Sequence, residues 1–251
     1  MPATMTSPSE PRTLQGLRVL LTRSAVDNRA WATELERLGA SVERLTCLAS
    51  EVLPAGPELA AACDGAAWLV LGSRRAVAAV AELDVELPGR LACVGPATRD
   101  AAVVTLGRPE HAAPLVPGDG TMASLAQLLL AQLDTPTTIA LATADRGGRD
   151  LEQLLEPAGH VVRRVAVYAT LPTPAAGSDL PPLTGLDAVV LGSPSALEGL
   201  TNQRAVPSGL PVVTLGPTTS AAARAAGLGP VVEATRRDLD GIAAALASLR
   251  S

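Results

Sequence analysis

Residues 165–174 read VAVYATLPTP. An apolar run of β type empties there into a proline-bearing stretch, as the last strand of one domain does when the chain leaves for another. Tyr168, in the middle of the run, is the single tyrosine of a chain that has no phenylalanine. A tyrosine in such a strand ordinarily packs its ring and keeps its hydroxyl at a wet edge. That plain structural role stands beside a chemical one until the rest of the chain is read.

Working outward, the strand closes a β-α-β unit. Thr138 to Ala142 reads as a strand, Arg149 to Leu155 as a helix stopped at Gly159, and Val161 to Ala169 as the next strand. Pro157 ends that helix early. The same unit occurs near the start. Leu17 to Thr22 is a strand, Asp27 to Leu38 a helix with Trp31, Leu35 and Leu38 on one face, and Val42 to Leu48 a strand. Gly39 stands where a helix-terminating glycine belongs. The copies superpose without a gap at an offset of 120 residues: Leu35 on Leu155, Gly39 on Gly159, Val42 on Val162, Arg44 on Arg164.

A second kind of segment also repeats. AAWLVLGSRRAV (66–77) and AVVLGSPSAL (188–197) are each a buried strand, a Gly-Ser and a helix start, with Ser73 on Ser193 at the same offset. LACVGPATRDAA (91–102) and VVTLGPTTSAAARAAGL (212–228) follow, with Gly95 and Gly216 offset by 121. Val-rich strands and closing helices, Thr121 to Leu133 and Leu239 to Leu249, complete each copy. A period this long is a domain and not a solenoid repeat. Alternating strands and helices imply parallel sheets covered on both faces. The fold class predicted is α/β, with two similar domains, each a parallel sheet flanked by helices.

The pieces pair in one of two ways. A tandem gives 14–125 and 126–251. The alternative encloses a domain at 50–168 within a discontinuous one made of 14–46 and 172–251. The proline-bearing connectors Thr46 to Pro57 and Thr170 to Pro182 favour enclosure, with linkers near 46–50 and 168–172. Residues 1–13, rich in Pro, Ser and Thr and without an apolar core, read as a disordered leader.

Composition narrows function. Hydrophobic residues make up 47% of the 251 and aromatics 1%, so the core is built of Leu, Val and Ala. There is no lysine, the net charge is −5 and no basic run occurs, which argues against a nucleic-acid partner. No apolar run is long enough to span a bilayer. Cys47, Cys63 and Cys93 are scattered and read as small buried hydrophobes in a reducing compartment. His111 and His160 are the only histidines, so no metal site is expected. A cytoplasmic monomer is the expectation.

Four loops carry the chemistry: Gly72-Ser73, Gly95-Pro96-Ala97-Thr98, Gly192-Ser193-Pro194-Ser195 and Gly216-Pro217-Thr218-Thr219. Each follows a strand and opens a helix, where ligands of open parallel sheets bind and free N–H groups suit anions. Helix capping alone is the plainer role of these Ser and Thr residues. Arg23 follows the first strand, and Arg146 and Arg149 follow its counterpart. They are either solvated or carboxylate clamps. No phosphate-loop, dinucleotide or nucleophile-elbow signature is present, and no carboxylate pair is marked out for acid–base work.

The segments VLLTR, GGRDLEQLLEPAGHVVRRVAVYAT, LDAVVLGSPSAL and VVTLGPTTSAAARAAGL, in this order and with the tyrosine in V-Y-x-T, resemble the uroporphyrinogen-III synthase family over nearly the whole chain from Leu17. The resemblance implies the enclosed-domain arrangement with a two-stranded linker. It also implies a cofactor-free lyase reaction: hydroxymethylbilane, a polycarboxylate, loses its hydroxyl, inverts ring D through a spiro intermediate and closes as uroporphyrinogen III. A transient handover from the bilane-forming deaminase would follow. Tyr168 takes the position of the residue assisting loss of the hydroxyl. Thr218, Ser73, Ser193 and Ser195 lie on loops implicated in binding. The chain departs from the family's Thr-Ser pair at Gly72-Ser73 and Gly192-Ser193, and from S-x-N-A at Ser73-Arg74-Arg75-Ala76, which leaves backbone donors there. The other readings are a non-catalytic anion-binding or regulatory relative and a hinged small-ligand binding protein. Tyr168 and both Gly-Pro-x-Thr loops favour the enzyme.

Overall fold

In chain order the computed structural model contains β1 (Arg18–Leu21), α1 (Ala25–Arg37), β2 (Ser41–Arg44), β3 (Leu48–Val52), α2 (Gly56–Cys63), β4 (Trp68–Leu71), α3 (Arg74–Leu83), β5 (Arg90–Cys93) and α4 (Pro96–Thr105). It continues with α5 (Met122–Leu130), β6 (Thr138–Ala144), α6 (Asp150–Leu155), β7 (Val161–Pro172), β8 (Ala188–Leu191), α7 (Pro194–Gln203), β9 (Val212–Thr214), α8 (Pro217–Ala225), β10 (Val231–Glu233) and α9 (Leu239–Ser248). The structure describes residues 14–107, 114–174 and 183–250. The expected leader, His111 and most of the second connector lie outside them.

The chain divides into two compact units. One comprises the described residues up to Ala49 and from Leu171 onward; the other, Ser50–Thr170, is inserted in it. The first unit's sheet has the order β10-β9-β8-β1-β2, the inserted unit's β3-β7-β6-β4-β5. Their parallel ladders correspond, β1–β2 to β6–β7 and β8–β9 to β4–β5. Strands such as WLVL and AVVL are buried throughout because helices cover both faces. Alternate residues feed opposite cores: Val19, Leu21 and Val190 one, Leu20, Val189 and Leu191 the other. The inserted unit sorts Leu69 and Leu71 from Trp68 and Val70 in the same way.

The repeat extends to the helix ends. Gly39 and Gly159 both have positive φ, +96° and +88°, which glycine adopts without steric cost. Ala40 and His160 then donate to the carbonyls of Leu35 and Leu155, 3.0 and 3.1 Å away. The three cysteines are buried and unpaired as expected. Burial pushes the Cys47 and Cys93 thiols up to about 12, with Arg204 and Arg99 opposing it.

Two expectations change. Val42 to Leu48 is not one strand: β2 ends at Arg44 and β3 starts at Leu48 in the other sheet. Between them the carbonyls of Thr46 and Cys47 accept from Thr173, whose Oγ1 and N donate at 2.8 and 3.0 Å. The connectors are therefore partly strands. Leu53 donates to Val167, and β3 and β7 run antiparallel side by side. The second Val-rich strand exists as β10, but its counterpart in the inserted unit shrinks to one bridge, Ala92 to Leu115.

Candidate functional site

In the inserted unit the site forms at the carboxyl ends of β4, β6 and β7. The ladder of β6 with β7 slips at Thr143/Ala144, so that Thr143 faces Ala166 but Ala144 faces Tyr168. Regular alternation would send Tyr168 to the face opposite Val165 and Val167. The extra residue brings it into their core instead, as bulges re-aim side chains. Tyr168 is 7% exposed. Its hydroxyl lies 3.1 Å from Ser73 Oγ, and either oxygen can donate. Ser73 is also the N-cap of α3, its Oγ accepting from the Ala76 N–H at 3.1 Å. Two residues singled out from sequence, 95 positions apart, thus meet in one hydrogen-bonded pair.

The loop after β6 is held from beneath. Glu152, 2% exposed, accepts from Arg164 Nε at 2.6 Å, and Arg149 Nε lies 3.5 Å from the same carboxylate. Arg164 also donates to the Gly148 carbonyl. Burial works to raise the Glu152 carboxyl, but the Arg164 hydrogen bond and the charges of Arg164 and Arg149 outweigh it and hold it below the usual range. Gly147 is needed for space: a Cβ there would stand 2.6 Å from Thr143 Oγ1. Arg146, 83% exposed, lies 3.7 Å from Asp145. Thr98 is buried on α4.

In the first unit, Ser193 caps α7 through the Ala196 N–H at 3.1 Å. Ser195 is half-buried at the second position of that helix, Thr218 is exposed at the start of α8, and Thr219 is buried. Gly216 caps α8 with no side chain. Arg23 stacks over Trp31, 4.4 Å from the ring centroid, and its Nη2 lies 3.7 Å from Asp27. Buried Asn28 fixes the Arg23 backbone, accepting from its N–H at 2.9 Å and donating to its carbonyl at 3.1 Å.

Asn28, Glu152 and Arg164 brace these loops and were not singled out from sequence. Arg44 on Arg164 was a visible repeat match, but its pairing with Glu152 needs the fold. No described helix is long and apolar enough to cross a membrane. Among the described residues no group of three His, Cys, Asp or Glu could hold a metal ion.

No curated protein sequence matches the chain. Among solved structures, uroporphyrinogen-III synthetase from Helicobacter pylori 26695 aligns with a TM-score of 0.59 at 13% identity, covering 93% of this chain and 100% of that one. A mutant uroporphyrinogen III synthase from Thermus thermophilus aligns at 22% identity and a TM-score of 0.49, covering 94% and 98%. The first likeness supports the two-domain α/β fold. The model of the family described as uroporphyrinogen-III synthase HemD matches residues 29–244, taking in both units and every site residue above except Arg23 and Asn28. By that match the chain belongs to the uroporphyrinogen-III synthase family of cyclising lyases.

Proposed function

We propose that this chain cyclises hydroxymethylbilane to uroporphyrinogen III, with loss of water and inversion of ring D. The observation that carries the reading is the 3.1 Å contact between the Tyr168 and Ser73 hydroxyls. Ser73 Oγ accepts from Ala76 N–H, so its own proton is available to Tyr168 Oη. Tyr168 then keeps its O–H for the departing substrate hydroxyl. Each donation strengthens the next. The electron-rich pyrrole pushes the C–O bond open, and the oxygen leaves as water after taking a proton. Ring closure returns one proton, so the net change is loss of water.

Positioning supplies the remaining catalysis. In this reading the substrate's carboxylates are met by Ser73, Thr98, Arg146 and Arg149 in the inserted unit. Arg23, Ser193, Ser195, Gly216, Thr218 and Thr219 serve in the first. Backbone N–H groups at helix starts suit such anions. The enzyme works without a cofactor, as a cytoplasmic monomer receiving its substrate from the bilane-forming deaminase. The test is incubation with hydroxymethylbilane and separation of the isomers formed. Type III product is expected; type I alone, the uncatalysed outcome, would overturn the proposal.

A further inference from the structure

Thr143 is the last residue but one of β6 and is only 8% exposed. Its Oγ1 has no hydrogen bond with a described residue, yet it is not sealed from solvent. An unpaired hydroxyl on so buried a residue calls for a reason. The packing around it holds the place open. A Cβ on Gly147 would stand 2.6 Å from Oγ1, 3.2 Å from Arg164 Nη1 and 3.3 Å from the Ala144 carbonyl oxygen. Threonine is stiff at χ1, so the hydroxyl is held where it lies. On the other side, a Cβ on Gly72 would stand 3.6 Å from the same oxygen and 3.3 Å from Met122 Cε. The hydroxyl thus lies between two glycines, and Gly72 leads directly into Ser73, the N-cap of α3.

The start of α3 suits an anion. Ser73 Oγ accepts from the Ala76 N–H, and the first N–H groups of a helix otherwise have no partner within it. No acidic side chain stands in the first turn, which opens with Arg74 and Arg75. The positive end of the dipole therefore meets no negative charge of its own helix. Thr143 adds a buried donor that faces this helix start from β6. The first unit repeats the placement. Arg23 stands 120 residues before Thr143, and Gly192 120 residues after Gly72. Arg23 Nη1 lies 3.1 Å from where a Cβ on Gly192 would be. In both units this position directs a donor at the glycine before a helix cap. Arg23 is engaged by Asp27 and Trp31, whereas no described residue claims the Thr143 hydroxyl.

We propose that Thr143 is a substrate-binding residue whose hydroxyl donates to a carboxylate seated at the start of α3. The inference rests on the cyclase reading. Its test uses Thr143→Val, which removes the hydroxyl and keeps the branched shape, and Thr143→Ser, which keeps the hydroxyl. With hydroxymethylbilane, Thr143→Val raises KM about tenfold and leaves kcat within about twofold, the scale of one lost hydrogen bond to a charged group. Thr143→Ser stays within about threefold of the wild type, since the donor survives. With uroporphyrin, a stable octacarboxylate, equilibrium binding weakens in Thr143→Val in parallel with KM. The melting temperature of Thr143→Val does not fall, because no hydrogen bond within the protein is lost. Wild-type turnover with KM and uroporphyrin binding unchanged in Thr143→Val would overturn the inference and leave the cyclase reading standing. A lowered melting temperature, with Thr143→Ser no better than Thr143→Val in KM, would make the side chain structural and overturn it as well. No type III product from the wild type, with uroporphyrin binding weakened in Thr143→Val alone, would sink the cyclase reading and keep Thr143 as a carboxylate site. A wild type that neither turns over nor binds uroporphyrin would overturn both.

Discussion

Ser73 and Ser193 cap corresponding helices with hydrogen bonds of equal length, 3.1 Å. Beyond the cap their surroundings part. Ser73 meets the Tyr168 hydroxyl; the position 120 residues before Tyr168 is Leu48, which has none. Gly72 faces Met122 and Thr143, whereas Gly192 faces Arg23 and Leu215. Gly95 has only the Gly120 Cα nearby, whereas Gly216 has Arg237. A duplicated scaffold has kept what helix starts require and diverged in what lies on the glycines. The inserted unit carries linked hydroxyls at this place, and the first unit carries guanidiniums.

The largest effect tests the scaffold of the inserted unit. Glu152→Ala strands Arg164 against buried surface, and a lost partner of a buried pair costs about 3 kcal/mol. Because the folded carboxyl is held below its unfolded value of about 4.3, its contribution is complete above that pH. It is lost as pH falls through the folded value. Denaturation midpoints between about pH 6 and pH 3 should therefore fall on acidification in the wild type and flatten in Glu152→Gln. An acid limb as steep in the variant would remove Glu152 from the account. Next is Gly199→Ala, at about 2 kcal/mol of overpacking, since its Cβ would run into the Cys47 carbonyl oxygen. The counterpart 120 residues earlier is already Ala79, fully buried. Tolerance of alanine at both positions, judged by thermal melting, would break the contrast between the units.

The serine pair then separates the roles directly. Tyr168→Phe should lower kcat roughly tenfold to a hundredfold, less than full acid catalysis because the pyrrole expels its own leaving group. An unchanged kcat removes Tyr168 from the mechanism. Ser73→Ala and Ser193→Ala should each cost about 1 kcal/mol of stability as lost caps. In turnover they should diverge, Ser73→Ala acting mainly on kcat through Tyr168 and Ser193→Ala mainly on KM. The same kinetic signature from both would erase the division of labour.

Much of this was legible in the sequence, because burial and capping are local. The offset of Gly39 from Gly159 and of Ser73 from Ser193 specified the repeated β-α-β units and their caps, down to the positive φ of both glycines. Three things were not. The bulge opposite Thr143/Ala144 decides which core Tyr168 joins, and alternation alone would have sent it to the other face. Between β2 and β3 the carbonyls of Thr46 and Cys47 are met by Thr173, more than a hundred residues away. Arg237 stands in an arginine pair after an unremarkable strand, and only the missing Cβ of Gly216 reveals where its guanidinium lies. Each is a long-range relation that no local pattern encodes.

Thr218 gives the smallest effect and the finest discrimination. It is exposed at the start of α8, while its neighbours Thr219 and Ser220 are buried. Ser220 is already engaged, sharing a 2.7 Å hydrogen bond with Thr214 and donating to Glu233 at 2.6 Å. The N-cap position is Gly216, so the Thr218 hydroxyl is not the cap of this helix. Thr218→Ala should therefore leave melting nearly unchanged and raise KM by about fivefold, the value of one neutral hydrogen bond to substrate. A loss of stability without a change in KM would return Thr218 to a purely structural part in the helix start.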